Sequence, residues 1–164
     1  MDQVESTLLE KDIMFECDHP FLVGMEYLFQ SELRLYFVMP FVRGGELYKI
    51  YESKKRFDEE TVRFYGAQLA IAIGYLHSKG IAHRDLKLEN ILVDTDGYLK
   101  IIDYGLAKML KDDDESQSFC GTPEYLAPEM VKGEPHDKSV DWWAMGVLMY
   151  EMLIGVTPFF NRNK

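Results

Sequence analysis

The sequence predicts an α+β fold, in which short strands and long helices occupy separate stretches of the chain. Apolar residues recur at helical spacing over 59–79 and fill most positions of 138–154. Short runs rich in Phe, Tyr, Leu and Val indicate strands at 21–29 and 33–39. Two further apolar runs flank an Asp-Gly pair at 96–97, which is typical of a β-hairpin.

The first element is expected to be an amphipathic helix over residues 2–16, followed by the two strands. Its apolar residues approximate one stripe with charges between them, and they are Val4, Leu8, Ile13 and Met14. After the second strand, Arg43-Gly44-Gly45 indicates a turn.

A long helix is expected over 59–79. Asp58 is its N-cap, Glu59 and Glu60 suit the positive end of the helix dipole, and Gly80 suits the position after the C-cap. The spacing predicts one buried face, made of Val62, Tyr65, Leu69, Ile73 and Leu76.

The second half is expected to hold a β-ribbon, an irregular segment and a buried helix. Residues 91–93 and 99–102 form the ribbon, and 103–129 show no clear periodicity. Long irregular loops in small domains are usually functional. The helix at 138–154 is apolar on nearly every side, which predicts burial. The acidic run at 112–115 is expected to be a solvated loop.

Composition restricts the class of partner. The 164 residues carry a net charge of −10, which disfavours nucleic acid and anionic membrane and suits basic partners. No apolar stretch is long and uncharged enough to span a bilayer. Cys17 and Cys120 are the only cysteines and indicate reduced thiols, so we expect an intracellular protein, in the cytoplasm with the nucleus as a second option.

The segment His83-Arg84-Asp85-Leu86-Lys87-Leu88-Glu89-Asn90 carries the groups that phosphoryl transfer needs, and Asp103-Tyr104-Gly105 follows it. A carboxylate can orient an attacking hydroxyl, while a lysine and Mg²⁺ neutralise phosphate charge. Mg²⁺ prefers oxygen ligands, which Asn90 and Asp103 offer. Because the ribbon connects the two motifs, it should bring Asn90 and Asp103 together.

These residues resemble the catalytic loop and metal motif of eukaryotic protein kinases. Two later stretches strengthen the resemblance, since Gly121 to Glu129 matches the end of the activation segment and Asp141-Trp142-Trp143 the start of the helix after it. The run from Ser118 to Tyr125 is most similar to the AGC group of serine/threonine kinases, which includes cAMP-dependent protein kinase and protein kinase C.

The resemblance implies transfer of the ATP γ-phosphate to Ser or Thr hydroxyls, with Mg²⁺. Asp85 would be the catalytic base and Lys87 would neutralise the transferring phosphoryl group, while Asn90 and Asp103 would bind the metal. His83 would be a packed residue of the regulatory spine with Met14, Met25 and Tyr104. Tyr104 replaces the usual Phe, and its hydroxyl needs a partner if it is buried.

The resemblance also implies a nucleotide site. Glu10 matches the glutamate that pairs with an ATP-anchoring lysine, Met39 the gatekeeper and Val42 the hinge residue that meets adenine. Glu46 would contact the ribose, and Leu92 would lie under the adenine ring. Glu89 is placed beside this site, and Glu46 and Glu89 would flank the peptide groove.

Protein substrates with basic residues near the target hydroxyl are the implied partners. Phe119, Pro123 and Leu126 would line an apolar pocket for the residue after the target, with Thr122 beside them. An upstream activating kinase is expected to phosphorylate Ser118, whose phosphate would bind Arg84 and Lys108. Ser6 stands where the group often has a helix histidine, which should weaken the link to the first helix.

The implied architecture is a partial bilobal kinase fold. Residues 1–39 would be the rest of an N-lobe, 40–45 the hinge and 46–164 a C-lobe that stops after its central helix. No Gly-rich loop precedes Glu10, and Lys11 cannot replace the strand lysine, so we expect a middle portion of a kinase domain.

Two alternatives follow. The chain could be a catalytically inactive kinase-like fragment that acts as a binding or competitor module. A small-molecule kinase is the weaker alternative, because Gly121 to Glu129 resembles a peptide-binding segment.

Overall fold

The computed structural model describes residues 3–111 and 114–161, which form an α+β fold. The described helices are α1 (Gln3–Glu16), α2 (Leu47–Lys54), α3 (Glu59–Ser78), α4 (Pro128–Lys132) and α5 (Val140–Ile154). The described strands are β1 (Tyr27–Gln30), β2 (Leu35–Val38), β3 (Ile81–Ala82), β4 (Ile91–Val93), β5 (Leu99–Ile101) and β6 (Lys108–Met109). Residue 2 of the expected first helix and residues 112–113 of the acidic run lie outside the described residues.

Helix α1 confirms the first expected helix, but its apolar stripe is only half buried. Ile13 and Met14 are in the core, whereas Val4 and Leu8 are exposed. Within the described chain, the hydrophobic core includes Ile13 and Met14 from this stripe, with Leu9 packed beside them.

The first strand begins at Tyr27 and not at residue 21, which corrects the sequence-based boundary. Leu22 forms a parallel bridge to Ile101, and the Val23 N–H donates to the Ile101 carbonyl at 2.9 Å. The backbone groups of residues 21–23 therefore form hydrogen bonds with β5 and not with the β1–β2 pair. That pair is antiparallel, with Tyr27 opposite Val38.

Helix α2 was missed from the sequence, because eight residues give little periodicity. It buries Leu47 and Tyr51. Gly44, just before it, lies so close to the ribbon that a Cβ there would be 2.2 Å from the Val93 carbonyl oxygen. Glycine is therefore required for α2 to approach the ribbon.

Helix α3 forms the centre of the core, as the periodicity predicted. The Thr61 N–H donates to Asp58 Oδ1 at 2.7 Å, which confirms the N-cap. Gly80 has a φ of 75°, the left-handed conformation expected after a helix end. Four of the five residues of the expected face are buried and Tyr65 is partly buried; the buried ones are Val62, Leu69, Ile73 and Leu76.

Helix α5 packs on α3 and on the 3₁₀ turn Pro123–Tyr125. The burial expected for this helix holds for part of its surface. The packed side holds Val140, Ala144, Val147, Leu148 and Met152. The opposite side exposes Trp142, Trp143, Tyr150 and Ile154. A helix whose apolar residues exceed what one neighbouring layer covers presents the rest to a groove or to solvent.

The ribbon and the irregular segment position the site. β4 and β5 are antiparallel, with Ile91 opposite Ile101, as expected. The segment 103–129 is less irregular than expected, because β6 pairs with β3 and Pro123–Tyr125 forms a 3₁₀ turn. Within 3–111 and 114–161, no helix has both the length and the hydropathy that a bilayer-crossing helix requires.

Candidate active site

Asp141, at the start of α5, holds the loop that follows β3. Its Oδ2 accepts a hydrogen bond from the His83 backbone N–H at 2.9 Å, and its Oδ1 accepts one from the Arg84 N–H at 2.8 Å. His77 Nε2 lies 2.8 Å from the same Oδ2. Asp141 is 1% exposed, so this carboxylate is fully committed to the loop.

Sequence reasoning treated Asp141 only as part of a helix-start motif and missed this role. A carboxylate within an otherwise apolar helix is a usable signal, because charged residues are almost never fully buried unless paired. The bonds from Asp141 also support an unusual backbone, since Arg84 has a φ of 66°. Such left-handed non-glycine residues persist only where their surroundings over-determine them.

The Asp85 carboxylate is the centre of a compact polar cluster. Lys87 Nζ donates to its Oδ2 at 2.8 Å, and Asn90 Nδ2 donates to the same oxygen at 3.0 Å. The Thr122 hydroxyl donates to Oδ1 at 2.8 Å and accepts from Lys87 Nζ at 3.0 Å. Asp85 is 8% exposed, so the carboxylate is held rigidly at the edge of solvent.

The ribbon brings Asn90 next to Asp103, as the sequence predicted. The Ile102 N–H donates to the Asn90 carbonyl at 2.9 Å, so the two residues lie at the paired end of β4 and β5. The Asn90 amide nitrogen donates to the Asp85 carbonyl and carboxylate, so its amide oxygen is the atom that could hold a cation. Asp103 is exposed with a φ of 64°, and its Oδ1 accepts the Gly105 N–H at 3.1 Å.

His83 is a packed residue and not a titrating one. Its ring is fully buried, and burial lowers its pKa, so the ring is neutral at physiological pH. It meets the Tyr104 ring edge to face, with centroids 5.7 Å apart. The Tyr104 hydroxyl donates to the Ile101 carbonyl at 3.2 Å, which supplies the partner that a buried tyrosine needs.

Glu10 on α1 reaches the segment after β5. Burial raises the pKa of its carboxyl, the Asp103 charge raises it further, and the Tyr104 backbone N–H lowers it. Its neighbour Lys11 bonds Asp12 at 2.7 Å and does not turn toward Glu10. Glu10 lines a cavity with Gly105 and Leu106, so it lies near the segment that follows Asp103.

An acidic groove of about 400 Å³ opens beside Thr122. Three carboxylates line it, from Glu89, Glu124 and Glu151. The Tyr125 hydroxyl donates a short hydrogen bond to Glu151 Oε2. Only Glu89 was named from the sequence; Glu124 and Glu151 were missed because they come from segments far apart in the chain.

Phe119 lies apart from the other residues of the expected apolar pocket. Pro123 and Leu126 line one groove with Trp143 and Phe159, whose rings stack at 5.8 Å. Phe119 lines a different cavity, which lies toward α1. The chain turns between them at Gly121, whose φ is 111° and where a Cβ would be 2.8 Å from the Arg84 carbonyl oxygen.

The proposed nucleotide residues fall into two groups. Glu46 and Leu92 are joined by an antiparallel bridge, so α2 and the ribbon bring them together. Glu46 also bonds Lys49 at 2.8 Å. Met39 and Val42 lie on the segment between β2 and α2, where Met39 is 45% exposed.

Ser118, Arg84 and Lys108 meet through a residue that the sequence did not single out. Arg84 Nη1 and Lys108 Nζ both donate to Ser116 Oγ, at 3.3 and 3.0 Å. Ser116 Oγ in turn donates to Ser118 Oγ at 3.1 Å. The Ser116 hydroxyl therefore links the three residues of the expected phosphate site.

Comparison with known proteins shows the family of this chain. The protein kinase domain model matches residues 1–164, so the chain belongs to the protein kinase family. It is 46% identical over 164 residues to a RAC family serine/threonine-protein kinase homolog of Dictyostelium discoideum, covering 99% of this chain and 37% of the relative. It is 54% identical over 146 residues to the mouse serine/threonine-protein kinase Sgk2, covering 88% of this chain and 40% of the relative.

A plant relative extends this pattern, since the chain is 50% identical over 154 residues to the serine/threonine-protein kinase AtPK1/AtPK6 of Arabidopsis thaliana, covering 94% of this chain and 33% of that protein. The relatives are serine/threonine kinases of the AGC group, which confirms the resemblance drawn from Ser118 to Tyr125. The chain spans about a third of the length of the curated relatives it matches.

Proposed function

We propose that this chain carries the catalytic centre of a serine/threonine protein kinase that transfers the ATP γ-phosphate to Ser or Thr hydroxyls near basic residues. The observation that carries the proposal is the set of hydrogen bonds on Asp85. Lys87, Asn90 and Thr122 each lie within 3.0 Å of its carboxylate oxygens. A rigid carboxylate beside a lysine is what orientation of a substrate hydroxyl requires.

Each residue then has a distinct role. Asp85 orients the attacking hydroxyl and receives its proton, and Lys87 neutralises charge on the transferring group. Asn90 and Asp103 offer oxygen atoms that suit Mg²⁺, which supplies charge neutralisation when bound with ATP. Thr122 fixes Asp85 and Lys87 from the activation segment, so it acts as a positioning residue.

The acidic groove supports a preference for basic substrates. Glu89, Glu124 and Glu151 face one cavity beside Thr122, and Arg or Lys side chains would pair with such carboxylates. Pro123 and Leu126 offer apolar surface for the residue after the target. We place Phe119 outside this substrate surface, beside Ser118.

The nucleotide proposal uses the segment from Met39 to Glu46 with Leu92. The Glu46–Leu92 bridge supports it, since it aligns the ribbon with the segment that would meet adenine and ribose. We place the protein inside the cell, because Cys17 and Cys120 are free thiols, which suit a reducing compartment.

The competing proposal is a kinase-like binding module without turnover. The observation that favours it is the position of Glu10, which lines a cavity with Gly105 and Leu106, while Lys11 pairs with Asp12. A transfer assay with MgATP and an Arg-rich Ser peptide separates the two proposals. It should be run on this chain and on a version extended upstream. Transfer by the extended version supports the kinase, whereas peptide binding without transfer in both supports the module.

Asp103→Ala is expected to abolish Mg²⁺-dependent nucleotide binding, because the change deletes an anionic metal ligand. Nucleotide affinity is measured by titration with and without Mg²⁺. Asp96→Asn, at the exposed hairpin tip, is the matched control and should bind as wild type does. Equal Mg²⁺ dependence in Asp103→Ala and wild type would remove Asp103 from the metal site.

Glu151→Gln is expected to weaken the preference for basic peptides by roughly three- to tenfold, since a partly buried ion pair contributes about 1 kcal/mol. The ratio of kcat/KM for Arg-containing and Ala-containing peptides measures this. Glu134→Gln is the control, because Glu134 is exposed and pairs only loosely with Lys132 at 3.9 Å. An unchanged ratio in Glu151→Gln would remove Glu151 from substrate recognition.

The same variant has a pH signature. Burial raises the pKa of Glu151, the Tyr125 hydrogen bond lowers it, and Glu89 and Glu124 raise it. The folded protein therefore holds this proton more tightly than the unfolded chain, so stability falls as pH rises from 4.5 through the raised pKa. Glu151→Gln should lose that fall, as measured by thermal unfolding between pH 4.5 and neutral pH.

Ser118→Ala is expected to lower activity of the full-length protein by roughly tenfold or more, because a phosphate there would make charge-assisted hydrogen bonds worth about 1.5–3 kcal/mol each. Arg84→Ala should largely erase the difference between phosphorylated and unphosphorylated forms. Mass spectrometry of active protein checks the modification. Unmodified Ser118 together with full activity of Ser118→Ala would show that this switch does not exist.

A further inference from the structure

Ser116 occupies the position where a phosphate would be expected. Its Oγ accepts hydrogen bonds from Lys108 Nζ at 3.0 Å, from Arg84 Nη1 at 3.3 Å and from the Ser118 N–H at 3.3 Å. The residue is 1% exposed. Three donors, two of them cationic, therefore converge on one neutral hydroxyl.

Such an arrangement has the chemistry of an anion site. Donors that carry positive charge form their strongest hydrogen bonds with anionic oxygens. A backbone N–H aimed at the same point adds to the site. The hydroxyl satisfies the geometry of these donors but neutralises none of their charge.

The backbone of Ser116 is fixed independently of its side chain. The Ser116 N–H donates to the His136 carbonyl at 2.8 Å, and the His136 N–H donates back to the Ser116 carbonyl at 2.9 Å. His136 lies before α5 and is buried. Ser116 therefore ties the activation segment to the loop before α5, while its hydroxyl ties it to Arg84 beside Asp85.

The modification proposed above lies one hydrogen bond away. Ser118 Oγ is 3.1 Å from Ser116 Oγ, and Ser118 is only partly buried. A phosphate on Ser118 adds three acceptor oxygens and nearly two negative charges at this point. Lys108 and Arg84 now donate to the neutral Ser116 hydroxyl, and a phosphate beside it is the stronger acceptor for both cations.

We propose that the Ser116 hydroxyl is a positioning group that accepts hydrogen bonds from Arg84 and Lys108 in the unphosphorylated protein. After phosphorylation of Ser118, the phosphate replaces it as their acceptor. The proposal rests on the kinase function and on Ser118 phosphorylation. It makes the unphosphorylated segment partly ordered, so the protein keeps basal activity before modification. Ser116 thus sets the ratio between phosphorylated and unphosphorylated activity.

The test compares Ser116→Ala in two forms of the full-length protein. One form carries serine at position 118, and the other carries phosphoserine introduced there during translation. Ser116→Thr keeps the hydroxyl and serves as the conservative rescue. Ser78→Ala removes an exposed hydroxyl that bonds only the Tyr75 carbonyl among the hydrogen bonds of the described chain, and it serves as the matched control.

Two readouts are measured, peptide phosphorylation and hydrogen exchange of the peptides that contain 114–120 and His136. In the unphosphorylated form, Ser116→Ala should lower activity and raise exchange by about tenfold, the factor that loss of a hydrogen bond to a charged group produces. In the phosphoserine form both changes should stay under about twofold, since the phosphate has replaced the hydroxyl. Ser116→Thr should restore the basal values.

Three results would overturn the proposal. An equal loss in both forms would make Ser116 a purely structural residue. No change in either form would show that the hydroxyl does not hold the cations. Phosphate found on Ser116 of the active protein would make Ser116 itself the modified residue. If no form transfers phosphate, the kinase proposal fails, and the exchange measurement alone still decides whether the Ser118 phosphate replaces the Ser116 hydroxyl.

Discussion

Asp85→Asn is expected to lower the rate of phosphoryl transfer by roughly 10²- to 10⁴-fold, the usual contribution of a positioned general base. The amide cannot accept the substrate proton, and its NH₂ group would oppose a donor. Lys87 Nζ, the Asn90 amide and the Thr122 hydroxyl all donate to this carboxylate. Nucleotide binding should be largely spared, because Asn90 and Asp103 keep their oxygen atoms.

Single-turnover transfer at saturating MgATP measures this effect, with nucleotide affinity determined in parallel. Asp96→Asn is the matched control, since Asp96 lies at the tip of the hairpin between β4 and β5 and is exposed. Equal single-turnover rates in wild type and Asp85→Asn would show that Asp85 is not the catalytic base.

Asp141→Asn is expected to lower the free energy of unfolding by roughly 1–3 kcal/mol, because a buried donor left without its acceptor costs that much. The amide would place an NH₂ group against either the His83 N–H or the Arg84 N–H, both of which now bond the carboxylate. The loop that carries Asp85 would also lose its support, so activity should fall together with stability.

Chemical denaturation of the full-length protein measures the stability change. Asp137→Asn is the matched control, because Asp137 is exposed, accepts the Ser139 N–H at 2.7 Å, and an asparagine oxygen can replace that acceptor. If Asp141→Asn and Asp137→Asn were equally stable, the account of how the loop is held would be wrong.

Local signals in the sequence were sufficient for α1, α3 and α5 and for the ribbon, but not for the short helices α2 and α4. Asp58 caps α3, Gly80 follows its end, and the Asp-Gly pair joins β4 to β5, because each of these features depends on residues close in sequence. The start of the first strand was misplaced because Leu22 and Val23 pair with Ile101, a partner about eighty residues away that no local pattern specifies.

The site likewise contains residues that the sequence predicted from local motifs and residues that it missed. The grouping of Asp85, Lys87 and Asn90 followed from one short motif, and the ribbon explained how Asp103 joins them. The roles of Asp141 and Ser116 in the site depend on contacts between residues far apart in sequence. Asp141 accepts from the His83 N–H, and Ser116 bonds Lys108 and His136. Phe119 was misplaced because the direction of the chain at Gly121 depends on the close approach of the Arg84 carbonyl.

Transfer of labelled phosphate from γ-labelled ATP to the serine of an Arg-rich peptide, by the full-length protein with Mg²⁺, tests the central claim most directly. The account predicts label on the serine in wild type, loss of most of that rate in Asp85→Asn at equal nucleotide occupancy, and poor labelling of a peptide whose arginines are replaced by glutamates. A protein that binds MgATP and the peptide but labels no serine, or one that labels equally well with Asp85→Asn, would contradict it.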